Sequence, residues 1–551
     1  MDSSSTNFSI GAALSRRTVL RIGMAAGAMF GASCCGAPAN AAEASVAEFG
    51  ARGDGAIDDT AAFQRACDRL TGGGVLRVPA GTYLLDRVDV RHRGISVQLA
   101  PGAMLRKRAP AGPDSRGIFV LDGLHDAGFE LRGGTVDLNG EGPREIGRAG
   151  RIRNLYAALT IPTVVGIAGP ANAAVFARRS SGITVADCTI LNSGENGLLF
   201  RNCGRVTVRG CNFSNIANYA IEFSFVAPGG DGGSGPIPSR NDVVIEGCRF
   251  ENIDDYALGS GNGGGIGGGG GPNLRGFRNY RISDCTFVRC HRDIHFEFQE
   301  GSWIEQLEIA RITSIEPRQG SIGLVSVRDS VIRDVTVENP GSAPSALLIP
   351  ARPELFGVVL SSGFSNILLS NVTVRDNRPG RLLAADGASI ERGSRRLRTQ
   401  ANVFEPGDVD NWIGILRGNP QGAAYVGRIA SVLGPREVEL DLPAGATVRG
   451  GRIALGGIAR NGVILTAGSD VTFDNVELEV GAAADPASMG EAAAVRMWGM
   501  TGDVTFRRTV LRGPAAGNKP AGLRVTGGRA RLVGLDTLQV QGFGRSLLRT
   551  E

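Results

Sequence analysis

Short runs of alternating apolar and polar residues recur along this chain with one signature. Ile183-Thr-Val-Ala-Asp-Cys188 returns as Val206-Thr-Val-Arg-Gly-Cys211, Val243-Val-Ile-Glu-Gly-Cys248 and Tyr280-Arg-Ile-Ser-Asp-Cys285. Weaker copies end at Ile312, Val335, Val372 and Val476, and an upstream copy ends at Gly134. Val504 to Thr509 and Ala530 to Leu535 read as the last coils. From Cys188 to Val372 the copies are spaced by 23, 37, 37, 27, 23 and 37 residues. Alternation with period two predicts strands. Recurrence every twenty-odd residues predicts a solenoid whose strands stack in parallel. The expected fold is all-β, a single right-handed parallel β-helix, with regular coils over residues 86–378.

The pattern changes at both ends and once in the middle. Ala62, Phe63, Ala66, Cys67 and Leu70 share one face at helical spacing, and Asp58 or Asp59 can cap that helix. Gly72-Gly73-Gly74 ends it, and Val75-Leu76-Arg77-Val78 reads as a strand. Residues 43–85 are therefore expected to form an N-terminal cap with the first strand, since the open end of a solenoid needs cover. Residues 379–459 break the coil pattern and read as a lateral β-rich insertion, either a subdomain or a long loop. Coils resume over 460–551.

Residues 1–42 read as an export signal. Ser15-Arg16-Arg17-Thr18-Val19-Leu20 precedes an alanine-rich apolar run, and Ala39-Asn40-Ala41 offers a cleavage site. This is the pattern of a twin-arginine signal peptide. It predicts a periplasmic or secreted protein, with the twin-arginine translocase as its partner during export. Cys34 and Cys35 raise lipoprotein anchoring as the alternative. No later stretch is apolar and long enough to span a bilayer.

Phe49-Gly-Ala-Arg-Gly-Asp-Gly-Ala-Ile-Asp-Asp-Thr60 followed by Gly72-Gly-Gly-Val-Leu-Arg-Val-Pro-Ala-Gly-Thr-Tyr83 resembles the N-terminal segment of the pectate-lyase-like superfamily, and within it the rhamnogalacturonase and epimerase-like group. The resemblance implies a pectin-lyase-like β-helix. The twin-arginine signal ahead of short Ile-Thr-Val-x-Asp-Cys coils also resembles an uncharacterised family of translocated repeat proteins whose repeat carries a cofactor-binding label.

Composition narrows the function classes. Glycine supplies 82 of 551 residues, about twice ordinary usage, which suits short strands and many turns. The 59 basic and 54 acidic residues leave a net charge of +5, a mixed surface without the basic clustering that nucleic acid requires. Of nine cysteines, Cys188, Cys211, Cys248 and Cys285 occupy one repeat position, which in a parallel solenoid stacks vertically. Thiols on a line make a buried ladder, not the tetrahedral cage of a metal site. Asn192, Asn215 and Asn252 share the position of the following turn and read as an amide ladder.

Chemistry is expected on one decorated side. Two coils carry glycine-rich extra residues, Pro228–Gly235 and Gly259–Gly271, expected to leave at one repeat position, after Phe223 and after Leu258. Long loops on one face of a solenoid commonly form its binding side. No Gly-Lys-Ser/Thr element follows either loop, which excludes a phosphate cradle of that type. If Ile221, Leu258 and Ile294 point inward, then Glu222, His295 and Glu297 point outward. Asp254, Asp255, His291 and Arg292 sit beside them, within about three coils or roughly 10 Å. Glycoside cleavage needs one carboxylic acid and one carboxylate, which this patch can supply. Asp254-Asp255 with His291 a coil later resembles polygalacturonase-type glycoside hydrolases. The chain departs from that pattern at Ala217-Asn218-Tyr219, where an Asn-Thr-Asp element belongs, and in the missing glycines around His291. The expected catalytic residues are Asp254, Asp255, His291, Arg292 and Glu222. Tyr219, Tyr256, His295 and Glu297 are expected to bind substrate. A lyase or epimerase would instead use Arg292 to neutralise a uronate and His291 or Tyr256 as base. The expectation is an exported protein acting on polysaccharide or envelope glycan, the alternative being a non-catalytic glycan-binding or cofactor-binding repeat protein. No cofactor or metal is assigned.

Overall fold

The structure is a computed structural model. It describes residues 42–551 apart from 109–116, 140–172, 217, 227–240, 254–263, 342–355, 377–382, 410, 417–422, 442, 445–446, 456–460, 482–491, 515–518 and 551. The export signal, the first glycine segment (228–235), residues 259–263 of the second, and Asp254, Asp255, Tyr256 and Leu258 lie outside the described residues.

The chain winds as a right-handed parallel β-helix. Each coil contributes one or two strands to a 24-stranded parallel sheet and one strand to a facing 13-stranded parallel sheet. A parallel connection of this kind is right-handed because the strand twist lets it close only that way. Pairing is in register from coil to coil, so that Ile183 lies over Val206, Val206 over Val243 and Val243 over Tyr280. One continuous core fills the space between the sheets. Phe213, Phe250 and Phe287 stack face to face within it, with centroids 5.1 and 4.6 Å apart.

Two ladders follow from this register. The four repeat-position cysteines are all buried and free, and their thiols donate to main-chain carbonyls, Cys211 to Arg209 at 3.3 Å. The hydrogen bond with the neighbouring Cys211 thiol, and then burial, hold Cys188 well above the ordinary thiol range. Among the described residues no group of three or more His, Cys, Asp or Glu is arranged to hold a metal ion. Asn192, Asn215 and Asn252 each adopt a positive φ, between 54° and 58°, a region asparagine tolerates better than most side chains. Asn215 Nδ2 donates to Asn192 Oδ1 at 3.3 Å, and Asn192 Nδ2 to Asp137 Oδ1 at 3.1 Å. Asn475, Asn371 and Asp334 repeat the device further along, at 2.8 Å each.

The N-terminal end is closed by a helix, Thr60–Arg69, which buries Ala62, Phe63, Ala66 and Cys67. Asp59 is its N-cap residue but makes no side-chain cap bond, while Asp58, one residue earlier, accepts from Thr60 N at 3.0 Å. Asp59 instead holds the preceding turn through Arg52 N and Gly53 N, at 2.7 and 3.1 Å. Between Phe356–Ser361 and Asn461–Thr466, which pair directly, the chain leaves the solenoid to close a six-stranded antiparallel barrel, Leu383–Leu455. The barrel has its own core, with Leu397, Ile413, Ile429 and Val438 fully buried. Arg428 of the barrel pairs with Glu316 of the solenoid.

One interior position breaks the apolar rule. The phenylalanine stack ends where Phe287 is succeeded by Ser314. Ser314 Oγ donates there to the buried carboxyl of Asp293, whose Oδ1 has no hydrogen-bond partner among the described residues. Burial pushes the Asp293 carboxyl up to about 7. An acid whose folded-state value is raised stabilises the fold fully below the unfolded value, near 4, and loses that contribution as pH rises to about 7. Asp293→Asn, which cannot ionise, should gain stability relative to wild type across that window, by up to about 1.4 kcal/mol per pH unit. Urea unfolding at pH 4.5 and 7.5 checks this; a pH-independent difference between the two proteins would refute it.

Candidate functional site

The outer face of the 13-stranded sheet carries the polar patch. Five strands build it: Leu198–Arg201, Ile221–Phe225, Ile266–Gly270, Arg292–Phe298 and Gly320–Val325. Inward residues are Leu198, Ile221, Ile266, Ile294 and Ile322, one per coil. The partner of Ile221 is therefore Ile266, not Leu258. The glycine run 266–270 forms a strand, whereas it was expected in a loop. The two extra segments also leave from different turns. Residues 227–240 follow the Glu222 strand, and 254–263 precede the glycine strand. Glycines carry no side-chain alternation, which is why Leu258 looked like the next inward residue.

Outward positions run in two rows across these strands. The first is Leu199, Glu222, Gly267, His295 and Gly323. The second is Arg201, Ser224, Gly269, Glu297 and Val325. Gly267 and Gly269 contribute no side chain, and a notch one strand wide separates Glu222 from His295 and Glu297; within it Gly267 is buried and Gly269 partly exposed. The notch backbone admits nothing larger. A Cβ at Gly268 (φ 136°) would sit 1.8 Å from Phe223 O, and one at Gly267 would meet His295 O at 2.0 Å and the Tyr219 ring at 2.6 Å. Tyr219 thus lies beside the notch.

The two carboxylates flanking the notch are tuned in opposite directions. Burial, and then the Glu195 carboxylate, push Glu222 up to about 7, against the opposing pull of Arg201 and of the Asn196 side chain. Asn196 is itself buried and ties two turns together, accepting from Asn218 Nδ2 at 3.0 Å and Tyr219 N at 3.1 Å. Its remaining amide protons serve Glu222. Glu297 is exposed, and the neighbouring Arg292 charge acts to hold it below the usual carboxylate range.

His295 faces outward as the alternation requires, but it is 5% exposed. Its Nδ1 lies 3.1 Å from Gly323 O, and Arg292 Nη1 lies 2.7 Å from its Nε2. A carbonyl can only accept, so Nδ1 carries the proton and Nε2 accepts from Arg292. Burial, and then the Arg292 charge, bring His295 down to about 4, consistent with that neutral tautomer. Arg292 also donates through Nε to Gln319 Oε1 at 2.7 Å. The arginine is thereby fixed between two coils.

His291 does not join this patch. It is fully buried, with its main-chain N–H on Ile253 O at 2.8 Å and its carbonyl accepting from Gln319 N at 3.0 Å. The expectation of a surface imidazole at 291 is corrected: the residue lies in the short turn before Arg292, where two coils close over it. Asp254, Asp255 and Tyr256 lie in the segment leading into the glycine strand, outside the described residues. Glu222, Arg292, His295, Glu297 and Tyr219 are brought together. Glu195, Asn196, Arg201 and Gln319 belong to the same patch and were missed. Aligning Leu198 with Ile221, which pair in register, puts Glu195-Asn196 one coil behind Asn218-Tyr219.

Comparison with known proteins agrees with this fold. A family model described as a right handed beta helix region matches residues 173–409. A second, described as rhamnogalacturonase A/epimerase, pectate lyase-like, matches residues 44–104. Among solved structures, the chain is similar to PfbA, a surface adhesin of Streptococcus pneumoniae, with 13% identity over 88% of this chain and 90% of that one, at a TM-score of 0.45. It is similar also to a family 28 exopolygalacturonase of Yersinia enterocolitica (14%, 90% and 78%, TM-score 0.48). A third is the mannuronan C-5 epimerase A-module of Azotobacter vinelandii (12%, 93% and 99%, TM-score 0.38).

The glycine strand yields a direct test. Gly268→Ala forces a Cβ into Phe223 O and strains a positive φ, so it should lower the urea midpoint measurably. Ser224→Ala, an outward change on the neighbouring strand, should leave it within error. Equal midpoints for Gly268→Ala and wild type would show that the notch tolerates side chains.

Proposed function

We propose that this protein cleaves a polysaccharide by hydrolysis at the notch, with Glu222 as proton donor and Glu297 as the carboxylate that activates water. One observation carries the reading: two carboxylates of opposite tuning flank a strip of backbone without side chains. Glycoside hydrolysis needs one acid protonated at working pH and one ionised base. The Glu222 and Glu297 backbones are two strand spacings apart, about 10 Å, with one outward position of offset. Glutamate side chains reaching inward over that distance leave room for a water between them, as inverting hydrolases require. At Gly269, which is partly exposed, the strip lets a sugar approach the backbone closely. Tyr219, itself buried, has its ring over Gly267 and closes that end of the strip. Arg292, pinned by Gln319 and His295, supplies positive charge on the Glu297 side, which favours sugars bearing a carboxylate. Neutral His295 keeps that arginine oriented without adding a second charge.

Glu222→Gln should lower turnover of a cleaved polysaccharide by at least about a hundredfold, the range of one general acid, while leaving the urea midpoint in place. The acid works only when protonated, so wild-type kcat should fall as pH rises through about 7. A reducing-end assay against polyuronides and neutral glycans measures both, and absorbance at 235 nm separately reports elimination. Full turnover in Glu222→Gln, with loss in Asp255→Asn, would move the reaction to the Asp254/Asp255 pair. Saturable binding with no product would make the protein a glycan binder.

We also infer export through the twin-arginine route, from Ser15-Arg16-Arg17 ahead of the apolar run. Replacing Arg16 and Arg17 together by lysine should leave the precursor in the cytoplasm on fractionation. Normal export of that variant would exclude the route.

A further inference from the structure

The same outer face continues beyond the patch. The second outward row runs from Glu297 through Val325, Ser361 and Thr466 to Trp498, then Thr526 and Thr550. Val325, Ser361 and Thr466 are all partly exposed, so the row stays open to solvent between its two ends. Trp498 is 56% exposed, the most exposed large hydrophobic residue among those described. It stands on a rigid paired strand, with threonine on each side in register. Neither neighbour is large enough to cover the indole. In the first row Arg496 and Arg524 lie on adjacent strands, one outward position from Trp498 and Thr526. From Val325 to Thr550 the two rows contain no carboxylate.

We propose that Trp498, flanked by Arg496 and Arg524, is a remote subsite for an acidic polysaccharide lying along this row from the Glu222/Glu297 notch. Four strand spacings separate Glu297 from Trp498, about 19 Å, a reach of several sugar residues. An indole offers a flat apolar face to the C–H side of a pyranose, and tryptophan combines large contact area with little side-chain entropy to lose. Two guanidiniums beside the indole favour an anionic polymer. Between Glu297 and Trp498, the row's own side chains are Val325, Ser361 and Thr466, all small. This inference rests on the polysaccharide reading of the notch, because the row joins the two.

The test is equilibrium binding of polygalacturonate to the mature protein in the Glu222→Gln background, where no product accumulates. Trp498→Ala should raise the Kd for the polymer about tenfold, and Trp498→Phe should restore most of it. The Kd for a galacturonate dimer, too short to span the row, should not move. Dextran, a neutral polymer, should bind far more weakly than polygalacturonate. Equal polymer affinity in the Trp498→Ala protein overturns the subsite, as does an absence of polygalacturonate binding or equal binding of dextran. Failure of the catalytic reading is seen separately, as turnover that survives Glu222→Gln.

Discussion

In-register hydrogen bonding between successive coils is the constraint on which the rest of this molecule depends. Successive residues of each strand bond alternately to the coil before and the coil after, donating and accepting on both sides, so residues 23 to 37 apart in sequence are held about 4.8 Å apart in space. That spacing turns a repeated residue into a ladder. Cysteines, asparagines and phenylalanines then stack on their own kind, and each ladder reinforces the register that made it. The energetic consequence is local. A coil is stabilised by its neighbours alone, so a polar residue such as Asp293 can enter the core where Ser314 ends the phenylalanine stack, without disturbing coils further away.

The same constraint governs the electrostatics of the site. Stacked coils place Glu195 near Glu222, and like charges at that range disfavour ionisation, adding to the effect of burial. Two strands on, Glu297 meets Arg292 and stays ionised. Opposite tuning of two glutamates therefore needs no special pocket, only different neighbours in adjacent coils. The glycine strand between them is costly. Each interior glycine forgoes roughly 0.5–1 kcal/mol relative to alanine, and no side chain returns it. The main-chain approach at Gly267 and Gly268, with the Tyr219 ring over Gly267, is what demands glycine.

What was readable in the sequence is what repeats as a side chain. The Val-x-Val-x-x-Cys copies define strand, register and ladder at once, so the β-helix and its cysteine and asparagine columns were legible. The outward direction of Glu222, His295 and Glu297 followed from alternation with Ile221 and Ile294. What was not legible lay where side chains are absent or where neighbours decide. Residues 266–270 have no apolar-polar rhythm, so the strand was taken for loop and Leu258 for its inward residue. Exposure at His291 is set by two coils closing over a short turn, which local pattern does not encode. His295 is outward yet covered, because Arg292 and the Gly323 carbonyl hold the ring flat against the sheet.

A solenoid converts linear order into position along one axis, and this has a consequence for how function is spread. Residues 195 to 319 contribute to one patch, and the coils that follow extend its floor. The barrel is inserted between two strands that still pair directly, Phe356–Ser361 with Asn461–Thr466, so it adds mass without interrupting the sheet. Its Arg428 meets Glu316, three residues before Gln319, the partner of Arg292. The barrel is thus attached close to the turn that orients the arginine of the patch. The outer rows continue in register past the insertion point. Here the element that breaks the sequence pattern most strongly leaves the stacking of the sheet continuous.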